Sequence, residues 1–169
     1  MVVAIRCTQK LLRRVHASAM PAPSTTMLGD WYANILFARP EQLVLCVSER
    51  TLLPIVVTAR DAHALGDRLA KSLREVLLRL GVPSPRVDAE QIEMSPVTFA
   101  PTRNRRILGT INSFMFQLSW YFHEHPAAPL ADASLWLART PCKPIDYESP
   151  NRLTVSLFAG AGHSNALVQ

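Results

Sequence analysis

Three apolar runs in close succession constrain this chain more than anything else in it. Residues 31–37, 43–47 and 52–57 are separated only by Arg39-Pro40-Glu41 and by Glu49-Arg50. Strand-length runs divided by turn formers predict a three-stranded antiparallel meander over residues 31–37, 42–48 and 51–58. Runs this apolar predict strands covered on both faces. Pro54 cannot donate to a ladder, which places the third strand at an edge or at a bulge. On the first strand, Trp31, Ala33, Ile35 and Phe37 share one face, and Tyr32, Asn34 and Leu36 the other. The segment that opens the meander, Leu28-Gly29-Asp30-Trp31-Tyr32-Ala33-Asn34, sets an acid, an amide and two amphipathic aromatics beside the most hydrophobic part of the chain.

The rest of the chain reads as helices around that sheet. Residues 2–7 are β-prone, and Thr8 can cap a two-turn helix over residues 9–15 with Leu11, Leu12 and Val15 on one face. Residues 18–26, with Pro21 and Pro23, read as a loop. Residues 61–80 are the clearest helix, carrying Leu65, Leu69, Leu73, Val76, Leu77 and Leu80 on one face. Asp61 is placed to cap it, Gly81 to end it, and Pro83 and Pro85 forbid continuation. A short helix is expected over 87–94 and an edge strand over 96–101. The second long helix spans 105–123, with Ile107, Ile111, Phe114, Met115, Leu118 and Phe122 in step, and a shorter one spans 130–138. Residues 152–158 read as a last strand. The predicted class is α+β: a mostly antiparallel sheet with a three-stranded meander, packed by two long amphipathic helices and shorter helices. Residues 1–158 are expected to form one domain and 159–169 a flexible tail.

Composition narrows the function classes. The chain has 169 residues, 49% hydrophobic and 18% charged, enough to bury a core without a disulfide or metal staple. Its longest apolar run falls far short of the roughly 20 residues that span a bilayer, so no membrane association is expected. Arg6 interrupts the start before an apolar leader develops, so no secretory signal is expected. Cys7, Cys46 and Cys142 are odd in number and scattered, which fits a reducing cytoplasm. The net charge is +5 and the pI about 9.6, with lysine only at Lys10, Lys71 and Lys143. An arginine-rich balance permits a phosphate-bearing partner without demanding one.

Five segments, taken together, carry a resemblance. They are Arg6-Cys7-Thr8-Gln9-Lys10-Leu11-Leu12, the Leu28–Asn34 segment above, Ser48-Glu49-Arg50-Thr51-Leu52-Leu53-Pro54, Asn104-Arg105-Arg106-Ile107-Leu108-Gly109-Thr110-Ile111-Asn112, and Thr140-Pro141-Cys142. The series, over residues 5–144, resembles a family of small bacterial proteins known as a domain of unknown function, some members of which accompany plasmid or insertion-element genes. The resemblance implies a single bacterial domain and no activity. The family pattern is expected to hold a serine and then an asparagine-aspartate pair in the fourth segment. Here Arg106 and Asn112-Ser113 stand there, so if a carboxylate acts at that place in relatives this chain lacks it, which speaks against a catalytic role for that helix.

The sharpest anomaly is electrostatic. Arg103, Arg105 and Arg106, with Asn104 among them, surround the predicted start of the second long helix. Cations there oppose the helix macrodipole. With free backbone N–H groups they make a candidate anion site whose usual occupant is phosphate. The alternative is three solvated arginines, screened by salt or paired with Asp88, Glu90 or Glu93. A second candidate is polar: Arg6, Cys7, Asp30, Tyr32, Asn34 and Glu49. Tyr32 and Asn34 project side by side and could contact a ligand or stack on a base. The structural alternative makes Asp30 a turn residue, Trp31 a core anchor and Asn34 a partner for backbone. Arg6 could meet Glu49 in an ion pair. Cys7, after Arg6 and before a helix, is the most plausible nucleophile of the three cysteines, yet buried cysteines are mostly packing. His123 and His125 point to different sides of a helix, and no zinc spacing, phosphate loop or dinucleotide turn appears. No metal and no cofactor is expected.

These observations predict an accessory binding module, leaning away from an enzyme, for a polyanion such as nucleic acid or another phosphate-bearing ligand. Arg103, Arg105 and Arg106 would engage it, helped by the basic face Arg68, Lys71, Arg74 and Arg79. Two other readings stay open. One is a small enzyme with a polar site beside the meander, built on Asp30, Tyr32, Asn34, Glu49 and Cys7. The other is a protein partner within a two-gene or mobile-element module, contacting through Trp120, Tyr121 and Trp136.

Overall fold

The structure is a computed structural model that describes residues 1–18, 20–38 and 41–166; side chains are described except at residues 38 and 161–166. Its centre is a five-stranded sheet built from β1 (Val3–Cys7), β2 (Trp31–Ala38), β3 (Glu41–Ser48), β4 (Pro54–Thr58) and β5 (Val97–Pro101), in the order β4-β3-β2-β1-β5. The meander β2-β3-β4 is antiparallel and holds most of the paired residues. β1 runs parallel to both β2 and β5, so the sheet is mixed at that side. The expected turn at Arg39-Pro40 lies outside the described residues. Pro54 sits on β4, an edge strand where its missing N–H costs no ladder bond. The edge N–H of Val56 donates instead to Ser134 Oγ at 2.9 Å, from the helix packed there.

Both faces of the sheet are covered, as its apolar strands require. On one face Val3, Ile5, Cys7, Trp31, Ala33, Ile35, Val44, Cys46, Ile55 and Val57 meet α1 (Gln9–Leu12), α2 (Leu65–Arg79) and α3 (Ser84–Glu93). α2 buries Leu65, Leu69, Leu73, Val76 and Leu77, and Gly81 ends its run at φ +89. Asp61 caps the short 3-10 turn Ala62–Ala64 that leads into α2, accepting from the N–H of His63. On the other face Tyr32, Leu36, Leu43, Leu45, Val47 and Val56 meet α4 (Arg105–Glu124) and α5 (Leu130–Leu137). Tyr32 and Leu36 therefore share the α4 face, and Trp31 and Ala33 the α2 face, as the strand period predicts.

Two expectations are corrected. The first helix stops at Leu12 rather than Val15, because the chain turns to place Ala17 in a bridge with Phe99 of β5. Residues 152–158 are not a strand. They lie in α6 (Pro150–Ala166), whose helix runs on through residues 159–166; residues 167–169 lie outside the described part. α6 buries Thr154 and Phe158, one turn apart, and Thr154 donates to Thr51 Oγ1 at 2.9 Å in a buried chain of hydroxyls that continues to Ser48. No described helix is long and apolar enough to cross a membrane.

Candidate functional site

The parallel register brings Arg6 of β1 level with Tyr32 of β2 and Ala100 of β5. Alternation sends Arg6 toward the α4 face and Cys7 toward the α2 face. Arg6 is thus carried to the mouth of the meander, where Asp30 begins β2. Its Nε donates to Asp30 Oδ2 at 2.7 Å, and one terminal nitrogen donates to the Pro101 carbonyl at 3.2 Å. The two side chains are 9% and 6% exposed, a buried ion pair. Ser24 fills the other carboxylate oxygen, donating at 2.6 Å. Glu49 accepts from the backbone N–H of Asp30 at 3.2 Å. Arg6 therefore pairs with Asp30 and not with Glu49, because β2 starts beside β1 while Glu49 sits on the far side of that start.

Arg103 completes this cluster. It reaches back over Asp30 at 3.5 Å and Glu49 at 4.0 Å while staying 62% exposed. Two guanidinium groups and two carboxylates thereby balance one another. Tyr32 lies beneath, fully buried and unable to stack on anything outside the core. Burial pushes its phenol up; Arg103 and Arg6 hold it back, and Glu49 adds to the rise. Its hydroxyl lacks a well-formed hydrogen bond, as does the indole N–H of Trp31. Asn34 is tied between Thr8, whose hydroxyl donates to it at 2.6 Å, and Met115 of α4.

Cys7 leaves the polar group altogether. Its thiol is buried on the opposite face and burial pushes its pKa up to about 12. Burial also raises Cys46, with Cys7 adding to that rise, and raises Cys142 to about 11. A nucleophilic thiol needs the opposite shift.

The chain's own groups engage part of the expected anion site at the start of α4. Asn104 caps the helix, its Oδ1 accepting from the N–H of Arg106 at 3.0 Å and of Ile107 at 3.3 Å. Two of the donors an anion would use are therefore occupied. Arg103 turns to Asp30 and Glu49. Asp88, Glu90 and Glu93 lie elsewhere: Asp88 pairs with Arg74, Glu90 accepts from the N–H groups of Met27 and Leu28, and Glu93 faces the N-terminus. On the basic face of α2 three of the four cations are engaged, since Arg68 donates to the carbonyls of Thr58 and Asp61, Arg74 meets Asp88 and Arg79 meets Asp132, while Lys71 is exposed with no carboxylate in ion-pair distance among the described residues.

What remains of the positive charge is displaced by one turn. Arg105 and Arg106 are exposed, and among the described residues neither has a carboxylate within ion-pair distance. Arg106 stands on a groove of about 270 Å³ between α4 and residues 140–144. Its α4 wall is Arg106, Gly109, Thr110, Ser113 and Phe114; the other wall is Thr140, Pro141, Cys142, Lys143 and Pro144. Lys143 is exposed and likewise unpaired among the described residues. A β-carbon at Gly109 would meet nothing within 4 Å, so the floor is open there. Gln117 closes one end, accepting from Thr140 at 3.1 Å and donating to Ser113 at 3.4 Å.

Lys143 and the three hydroxyls are the groove residues that sequence reasoning missed. The signal was present in part, since Thr140-Pro141-Cys142 was singled out and Lys143 follows it. Among the described residues no group of three or more His, Cys, Asp or Glu side chains could hold a metal ion.

No curated protein and no solved structure matches this chain. The segments quoted for the family resemblance nevertheless converge on these two neighbouring places. Arg6, Asp30 and Glu49 build the charged cluster, while Arg106, Gly109, Thr110 and the Thr140-Pro141-Cys142 turn build the groove. A family model described as a domain of unknown function, DUF6933, matches residues 4–153, and the chain belongs to that family.

Proposed function

We propose that this protein is a non-enzymatic binding module of the cytoplasm that receives a phosphate-bearing partner in the groove between α4 and residues 140–144. One observation carries the reading: Arg106 and Lys143 face the groove from its two walls, and no carboxylate lines it. Arg presents a planar fork to phosphate oxygens and Lys a mobile point charge. Thr110, Ser113 and Thr140 add hydroxyls within the same groove. Arg105 and the net charge of +5 favour approach of an anion from a distance. Three cysteines buried with raised thiol pKa values fit a reducing compartment and a role without a thiol nucleophile.

The test is fluorescence anisotropy of a labelled oligonucleotide and of inorganic polyphosphate, over a salt series from about 50 to 200 mM. Binding is expected at low salt and should fall steeply. Arg106→Glu or Lys143→Glu should each weaken it and flatten the salt slope by roughly 0.7 per lost contact for a single strand. Lys71→Glu, an equal charge change on α2, should do far less. Undetectable binding of both probes at low salt, or equal loss from all three variants, refutes the reading.

A further inference from the structure

Beyond the groove, the same face of α4 carries two aromatic side chains that the core does not use. Phe116 is 80% exposed and Trp120 is 55% exposed. Both are exposed large hydrophobic side chains, and nothing in the packing of the sheet requires them there. Their spacing is not random. Positions 106, 109, 113, 116 and 120 advance by three and four residues, so Arg106, Gly109, Ser113, Phe116 and Trp120 fall on one stripe of the helix. At about 1.5 Å per residue the stripe is roughly 21 Å long. One end is cationic and grooved, and the other is aromatic.

Trp120 is also held in place. Its ring stacks on Trp136 of α5 with centroids 6.1 Å apart and planes at 25°, and Trp136 in turn rests against Tyr121 at 4.8 Å. Tyr121 is buried, which corrects its expected role as a contact residue and makes it the footing of the platform. A ring fixed from behind presents its free surface at little entropic cost. Between the cations and the aromatics the stripe holds only Gly109 and Ser113, so a strand could lie along it without meeting a carboxylate or a bulky side chain.

We infer that α4 is a single-stranded nucleic-acid platform, on which phosphates engage Arg106 and Lys143 while bases stack on Phe116 and Trp120. The inference rests on the phosphate reading of the groove and adds the bases. Unpaired cations in line with exposed rings are the pairing that single-strand binders use, because every base has a stackable face. A duplex hides its bases from such rings. A protein partner would use the same aromatics, but charge complementarity along the stripe favours a polyanion.

The experiment compares four probes of equal length by anisotropy at low salt: an oligo-dT strand, an oligo-U strand, an abasic phosphodiester strand and a DNA duplex. The thymidine or uridine strand should bind at least about tenfold more tightly than the abasic strand and quench tryptophan fluorescence. Which of the two binds better distinguishes DNA from RNA. Phe116→Ala, at a side chain too exposed to support the fold, should erase most of that preference while leaving abasic binding intact. Equal affinity for intact and abasic strands overturns the inference and leaves the phosphate reading standing. A preference for duplex, or self-association lost in Phe116→Ala with strand binding unchanged, also overturns it. No binding of any probe overturns both.

Discussion

The Arg6–Asp30 pair gives the most direct test of how the site is held. Both side chains are more than nine-tenths buried, and Asp30 also accepts from Ser24. Replacing Asp30 with alanine strands the Arg6 guanidinium beneath α4 with only the Pro101 carbonyl as partner. Breaking a buried ion pair from one side typically costs about 3–5 kcal/mol, because the surviving charge stays desolvated. With an m value of ~2 kcal/mol/M, the urea midpoint should fall by about 1.5–2.5 M. Arg6→Met should cost a similar amount. The double variant Arg6→Met/Asp30→Leu should recover most of the loss, since an apolar pair of similar size has no charge left to desolvate. In that variant Ser24 still accepts from the Ala4 N–H, while its hydroxyl proton loses the Asp30 acceptor, which keeps the recovery short of complete.

Arg103 supplies the internal control. It touches the same carboxylate but stays largely in water, so Arg103→Ala should cost no more than about 1 kcal/mol and respond to salt. The Asp30→Ala loss should hardly change with salt, because buried pairs are screened far less. Urea melts followed by circular dichroism, at low and high salt, give all four values. An Asp30→Ala cost below about 1 kcal/mol, or single-variant costs that simply add in the double, would refute the reasoning.

Two further predictions concern the fold around the site. A β-carbon at Gly66 would run into Val97 Cγ2, where α2 crosses β5. Gly66→Ala should therefore lower the melting temperature, with overpacking of about 1–3 kcal/mol outweighing the ~1 kcal/mol gain in helix propensity. Val97→Ala in the same chain should restore it; a Gly66→Ala protein more stable than the parent contradicts the close approach. Glu90 is buried, and burial raises its carboxyl above the ordinary 4.5 against the opposing N–H groups of Met27 and Leu28. A raised folded pKa means the folded state holds the proton more tightly, so this contribution is full below the unfolded pKa and lost as pH rises through the folded one. Stability measured against Glu90→Gln should accordingly fall with rising pH over that window, and a flat or rising difference would be the wrong sign.

The sheet was legible because its strands are long apolar runs broken by turn formers, and α2 and α4 because their leucines and aromatics keep a helical period over many residues. α6 was misread for a definite reason. Arg152-Leu153-Thr154-Val155-Ser156-Leu157 alternates polar and apolar, which is the period of a strand. The better clue was Ser149-Pro150, a helix start, with Thr154 and Phe158 one turn apart for burial. Which arginine is free depended on tertiary geometry that spacing along the chain does not carry. Arg103 is neutralised because β5 delivers it beside the start of β2, and that follows from the parallel placement of β1, not from its neighbours in sequence. Asn104, by contrast, was readable as a cap from residue type alone. The proposed anion groove accordingly lies along the side of α4 rather than at its end. A helix end can be capped by a single side chain, as Asn104 caps this one, whereas Arg106 and Lys143 stand on opposite walls of the groove and no carboxylate lines it.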